Sequence, residues 1–231
     1  MLRTVVKYGV APLGLSLILY AAAVVGAVAG ALARRQMIFG VGKPIATVLL
    51  FAVLGGLPTD LFGTLVFNGL VLSLAADITL LAEGNEALVV GLALFFVAQL
   101  CYGLAFLGVG PGGWLALPGL AVFGACSAWL VRRQWRGLDG GLRAPVGVHA
   151  VGLVAMMAGV FSTLAGQASL ELAAVAAMGA TLFYFSQALL PWARLRRSSV
   201  WAQPMTLALY WGGQVCLVLA ARWGLGGMVA P

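Results

Sequence analysis

Charge is what this sequence lacks. Only 8% of its 231 residues are Asp, Glu, Lys or Arg, and just six are acidic. Soluble domains carry about 25% charged residues, so this chain has too little charge to dress a water-facing surface. Histidine occurs once and cysteine three times. Cys101, Cys126 and Cys216 sit inside apolar segments without metal-ligand spacing, so neither a disulfide framework nor a metal centre is expected. The HExxH, GxSxG, Walker and paired-cysteine patterns of soluble enzymes are missing as well, and no cofactor is expected. The net charge of +7 does not point to nucleic acid, because the basic residues fall in short clusters between apolar runs. That is the pattern of membrane orientation signals.

Hydrocarbon takes the place of charge. Hydrophobic residues make up 63% of the chain, and the mean hydropathy is +1.07. A helix needs about 20 apolar residues to cross a bilayer. Eight stretches are candidates, at 8–33, 44–58, 60–82, 87–108, 113–131, 145–165, 170–191 and 203–222, the second of them short. The expectation is an all-α, polytopic membrane protein, a single eight-helix domain over residues 1–231. Arg34-Arg35 follow the first run as a stop signal, which favours a retained helix over a cleaved signal peptide. Pro44 and Pro145 are expected at the first position of helices two and six, where a missing N–H does no harm. The run GVGPGG at 108–113 reads as a tight turn. Thirty-two glycines suit helices that approach closely in lipid.

The basic residues orient the chain. Arg34, Arg35, Lys43, Arg132, Arg133, Arg136, Arg143, Arg194, Arg196 and Arg197 fall on one side of an eight-helix topology. Arg3, Lys7 and Arg222 fall on the other. The positive-inside rule then places both termini outside the cytoplasm, in a protein integral to a bacterial cytoplasmic membrane. A weak internal repeat is also visible. Gly69 precedes Asp77 by eight residues, as Gly179 precedes Gln187, and ALFFVAQLC (93–101) is similar to ALYWGGQVC (208–216). Four helices per half would form parallel repeats, which place sites near their interface.

Asp77 is the carboxylate most deeply set in apolar sequence. At membrane depth it costs a few kcal/mol unless something offsets it, and function is the default reading. Gly69, Ser73 and Asp77 recur every four residues, one stripe of a helix. Helix four offers Phe95, Gln99, Tyr102 and Phe106, helix seven Gly179, Phe183, Tyr184, Ser186 and Gln187, and helix eight Tyr210 and Gln214. Polar stripes turn away from lipid, so these residues should meet in one polar pocket with aromatic walls, opening toward the cytoplasmic half. Blander roles exist for most of them. Gln99 and Gln214 can be interhelical glue, Tyr102 and Tyr210 packed rings, His149 an interfacial residue, and Lys43 an orientation charge snorkelling at the interface. Glu83 and Glu86 belong to a solvated turn.

Lys43-Pro44, SLAADITLL (73–81), GLALFFVAQLCYGLAF (91–106), GATLFYFSQALL (179–190) and LALYWGGQVCL (207–217), taken in this order, are similar to segments of the YhhN-like lysoplasmalogenase family. Lys43-Pro44 opens the resemblance. SLAADITLL (73–81) resembles that family's S-L-x-G-D-x-x-L, and GLALFFVAQLCYGLAF (91–106) its G-L-x-x-F-x-x-x-H-x-x-Y-x-x-x-F. GATLFYFSQALL (179–190) resembles G-x-x-x-F-x-x-S-D-x-x-L, and LALYWGGQVCL (207–217) the closing Y-x-x-x-Q segment. The resemblance implies eight helices and hydrolysis of the vinyl ether bond of a lysoplasmalogen, giving a fatty aldehyde and a glycerophospho-head group. It assigns Asp77 to acid/base catalysis. Lys43 would lie near the lipid phosphate, with Ser73, Gln99, Tyr102, Phe183, Gln187, Tyr210 and Gln214 lining the substrate site. Three positions depart from the pattern: Gln187 replaces the second aspartate, Gln99 the histidine, and Ala76 the glycine before the first aspartate. A glutamine neither donates a proton from an acid nor holds a base's charge. A relative that only binds or senses a lysophospholipid or other amphiphile is therefore the alternative, and a small transporter using Asp77 the third.

Overall fold

The computed structural model describes residues 12–33, 36–109, 116–165, 169–195 and 201–227. Among them are eight α-helices and no strand: α1 (Leu13–Leu32), α2 (Gln36–Leu54), α3 (Leu61–Thr79), α4 (Asn85–Val109), α5 (Ala116–Trp135), α6 (Gly140–Ser162), α7 (Leu170–Leu195) and α8 (Ala202–Gly227). A 3-10 turn, Thr163–Ala165, extends α6. Six of the helices are long and apolar enough to cross a membrane, and Gly40–Leu54 within α2 forms a shorter apolar helix. Exposed apolar side chains such as Ile18, Val25, Leu117 and Val151 stud the outer surface. In water such a surface would aggregate; in lipid it is solvated. The chain is an all-helical integral membrane protein.

Two expected helix starts are wrong. Pro44 and Pro145 lie inside α2 and α6, not at their first positions. Each ring removes the N–H that would bond the carbonyl four residues back, which falls on Gly40 and Gly141. Membrane helices tolerate such gaps where neighbours re-satisfy the backbone. The consequence for Lys43 is large, because α2 begins seven residues before it. The turn expected at 108–113 also shifts: α4 continues through Gly108 to Val109, and 110–115 lie outside the described residues. So do residues 8–11 of the first expected helix.

Local chemistry fixes the other ends. The Asp60 side chain accepts from the Gly63 N–H at 2.7 Å and caps α3, a favoured N-cap role. At the end of α2 the chain turns through Gly55 (φ 96°) and Gly56 (φ 130°). Arg222 of α8 closes this turn, donating from Nη1 to the Val53 carbonyl at 2.8 Å.

Short connections make successive helices antiparallel. The main packing partners are α1 with α2, α3 with α4, α4 with α6, α5 with α6 and α7 with α8. Glycine sets the spacing at two of these contacts. A Cβ on Gly159 would collide with the Gly103 backbone across α4 and α6, and one on Gly213 with Phe183 and Gly179 across α7 and α8. Backbones in such contacts gain dispersion energy that larger residues would forfeit. Trp129, Trp135 and Trp201 are exposed at the end of the bundle where α5 stops and α8 starts. Arg133 stacks over Trp129 and Arg143 over Trp135, each at 5.4 Å. These are the amphipathic side chains of a membrane–water boundary, and this is the arginine-bearing end.

Candidate functional site

The α3 stripe forms as its spacing dictates. Gly69, Ser73 and Asp77 are all buried, while Asn68 is exposed. Gly69 is required where it stands, because the Tyr102 ring of α4 occupies the space of a Cβ. Two turns on, Asp77 is 0% exposed and is held from two other helices. Lys43 of α2 places Nζ 3.0 Å from Oδ1. Thr47, one turn further along α2, donates to Oδ2 at 2.7 Å, and Tyr210 of α8 donates to the same oxygen at 2.8 Å.

A chain of hydrogen bonds continues from Tyr210. Its hydroxyl accepts from Gln214 Nε2 at 3.3 Å, and Gln214 Oε1 accepts from the Tyr102 hydroxyl at 2.9 Å. Tyr102, Gln214, Tyr210, Asp77 and Lys43 thus form one connected relay across α2, α3, α4 and α8. Phe183 of α7 packs against it, its ring 5.7 Å from Tyr210 and 6.0 Å from Tyr102. Charge-assisted bonds to an ionised carboxylate are about twice as strong as neutral ones, and here two hydroxyl donors and an ammonium converge on one group.

Lys43 stands elsewhere than an interfacial residue or a phosphate contact would. It is 7% exposed and about 10 Å along α2 from its first residue, at the 1.5 Å rise per residue of a helix. The early start of α2 explains this: a lysine just ahead of a helix can snorkel, but one two turns inside and facing the bundle cannot. The offset that Asp77 needed is therefore a cation of the protein itself.

Gln99 and Gln187 do not take part in the Asp77 hydrogen bonds. They belong to a second polar cluster, among α4, α5, α6 and α7. Gln99 Nε2 lies 3.3 Å from His149 Nδ1. Gln134 Nε2 donates to the Ala188 carbonyl at 3.0 Å, and the Ser127 and Tyr184 hydroxyls are 2.7 Å apart. His149 is 2% exposed, not interfacial, because α6 begins nine residues before it. A cleft runs between α5, α6 and α7, lined by Ser127, Gln134, His149 and Gln187 among apolar neighbours. Asp77 does not line this cleft. Phe95 joins the two clusters, its ring 5.8 Å from Tyr210 and 6.5 Å from His149. The single shared pocket expected from the sequence is thus two polar clusters with aromatic rings at their junction.

Thr47, Ser127 and Gln134 are absent from the sequence-based site. Thr47 had a signal, its four-residue spacing from Lys43, but that signal counts only if Lys43 faces inward. Ser127 and Gln134 lie seven apart on α5 and look like ordinary polar residues of a helix end. Among the described residues, no three His, Cys, Asp or Glu side chains are grouped to hold a metal ion.

The model of the YhhN family matches residues 38–221. No curated protein and no solved structure matches the chain.

Proposed function

The chain belongs to the YhhN family, and on that premise we propose that it is a membrane-embedded hydrolase that cleaves the vinyl ether bond of a lysoplasmalogen. The observation that carries this reading is Asp77, a fully buried carboxylate paired with Lys43 and held by Thr47 and Tyr210. Acid cleavage of an enol ether delivers a proton to the outer alkenyl carbon. The remaining carbon and the ether oxygen then share an oxocarbenium charge. Water adds to that carbon, loses a proton, and the hemiacetal collapses to a fatty aldehyde and the glycerol hydroxyl. The Lys43–Asp77 pair holds the proton for the first step. Once it has been given up, the Asp77 carboxylate stands beside the cation, as a carboxylate does in glycoside cleavage. The proton lost by water returns to the pair, so the cycle balances. Asp77 is the catalytic residue; Thr47 and Tyr210 position it, and Gln214 and Tyr102 hold Tyr210.

Substrate must reach a carboxylate that is closed in this structure. The long Lys43 stem can withdraw from it. Pro44 removes one helical hydrogen bond beside Lys43, and such sites are where helices bend. On this reading all eight helices span the membrane in two parallel halves of four, with both termini outside the cytoplasm. Helix pairing supports the halves, since α2 packs on α8 as α6 packs on α4, and α3 on α4 as α7 on α8. The test is aldehyde release from a lysoplasmalogen by the purified protein in lipid vesicles. Asp77→Asn should lower turnover by about 100-fold or more, the scale of a lost general acid. Wild-type protein that releases no aldehyde, or an Asp77→Asn variant with unchanged turnover, would refute the proposal.

One observation favours a second reading. Gln187 and Gln99 stand where the resemblance puts an aspartate and a histidine, and both are buried away from water. A protein that binds lysophospholipid without cleaving it would show saturable binding and no aldehyde.

A further inference from the structure

We infer that the cleft between α5, α6 and α7 is a second lipid site, separate from Asp77, which takes a free hydroxyl of an anionic membrane amphiphile. Identifying that amphiphile as a lysophospholipid, through its free glycerol hydroxyl, rests on the reading above. The cleft is built from buried polar side chains left without partners. Gln187 is 2% and Gln134 9% exposed, and the Oε1 atom of each has no hydrogen bond. The Gln134 amide is oriented by its Nε2 bond to the Ala188 carbonyl, so its oxygen is the free end. His149 Nε2 has no hydrogen bond either, although the backbone carbonyls of Leu92 and Gln187 stand near the ring. Pro191, four residues beyond Gln187, lacks the N–H that would bond that carbonyl within α7.

This set of groups selects its ligand. Amide oxygens accept, and in the His149 tautomer that takes the Gln99 Nε2–H at Nδ1 the ring's Nε2–H donates. A hydroxyl both donates and accepts. An ammonium offers only donors, and no carboxylate lines the cleft to offset its charge. A phosphate offers only acceptors. Leaving such groups unpaired inside a membrane is costly, so the site is incomplete without an occupant. The cleft has room for about one hydroxyl or one water. Leu130, Val131 and Pro191 also line the cleft and suit a hydrocarbon chain. Arg132 and Arg133 are exposed at the adjoining end of α5, where a phosphate would sit. Exposed cations, buried hydroxyl acceptors and an apolar lining together match the phosphate, glycerol hydroxyl and alkyl chain of such a lipid.

The probe is a 1-O-alkyl lysophospholipid, which has no vinyl ether and so cannot be turned over. Its binding to the full-length protein in detergent is read by tryptophan fluorescence and thermal shift. Its 2-O-methyl analogue, lacking the free hydroxyl, should bind about tenfold more weakly or worse, the effect of stranding buried polar groups. Gln187→Leu and Gln134→Leu should weaken the parent lipid by a similar factor, and Ile18→Ala, on the exposed face of α1, should not. Ala188→Leu, which fills the cleft without removing a polar group, guards against misfolding of the glutamine variants and should also abolish binding. Equal binding of the capped lipid overturns the inference. So does no binding to the wild type, which leaves a structural water as the occupant, and so does binding lost only in Asp77→Asn, which places the lipid at the other cluster. Aldehyde release is measured separately, so failure here does not imply failure of the hydrolase reading.

Discussion

Breaking the Lys43–Asp77 pair from either side should destabilise the protein far more than removing it whole. At 3.0 Å two unit charges attract by about 5–6 kcal/mol in a medium of effective dielectric near 20. Desolvating each ion costs several kcal/mol in return, so the intact pair contributes little net stability. A lone partner keeps its desolvation cost and loses the attraction. Lys43→Met leaves Asp77 with the Thr47 and Tyr210 hydroxyls alone, and Asp77→Leu leaves an ammonium 7% exposed without a counter-charge. Each should cost about 3–5 kcal/mol, the usual penalty of an orphaned buried charge. The double variant K43M/D77L replaces both with apolar groups and should recover much of the loss, giving a coupling energy above about 3 kcal/mol in a double-mutant cycle. Unfolding in mixed micelles, followed by tryptophan fluorescence, measures all four proteins. Single variants that cost under about 1 kcal/mol each and add to the double within about 0.5 kcal/mol would show that the two charges are not energetically linked. The placement of Lys43 inside the bundle would then be wrong.

Other consequences are narrower. Tyr210→Phe removes a donor to a charged acceptor and strands Gln214 Nε2; it should cost about 2 kcal/mol and, in the aldehyde assay, lower turnover at least about tenfold. Gly159→Ala forces α4 and α6 apart at the Gly103 backbone, and a loss of about 1–3 kcal/mol is expected in the same unfolding measurement. Arg222→Met takes away the bond to the Val53 carbonyl and should lower stability by about 1 kcal/mol; no change would mean that solvent satisfies that helix end.

Much of the architecture could be read from the sequence, because hydropathy and helical spacing act locally. All eight expected segments correspond to helices, and the buried faces of α3, α4, α7 and α8 carry the residues their spacing selects. Proline misled at Pro44 and Pro145. Its preference for a first position is statistical, and a membrane helix can carry it inside. That error hid the partner of Asp77, since Lys43 was placed outside a helix it lies within. His149 was misplaced for the same reason. The division into two clusters was not legible either. Spacing tells which residues share a face of one helix, but not which faces meet. Gln99 and Tyr102 share a stripe on α4, yet Gln99 lies against His149 of α6 and Tyr102 bonds Gln214 of α8.

The pair itself calls for an explanation that stability does not supply. Among the described residues, Lys43 and Asp77 are the charged side chains buried in the bundle, and two well-packed apolar residues would hold the helices as well or better. Lipid adds to the imbalance, since tails solvate an apolar replacement at no cost while a charge at membrane depth costs a few kcal/mol. A device that only joined α2 to α3 would need neither the two hydroxyl donors on Asp77 nor the tyrosine–glutamine–tyrosine relay behind it. What the arrangement provides, and apolar packing cannot, is a proton that can change place within a fixed geometry. The K43M/D77L variant separates the two roles in one protein. If it folds as stably as the wild type and releases no aldehyde from a lysoplasmalogen that the wild type cleaves, the charges serve chemistry. If it keeps wild-type turnover, neither residue takes part in the reaction.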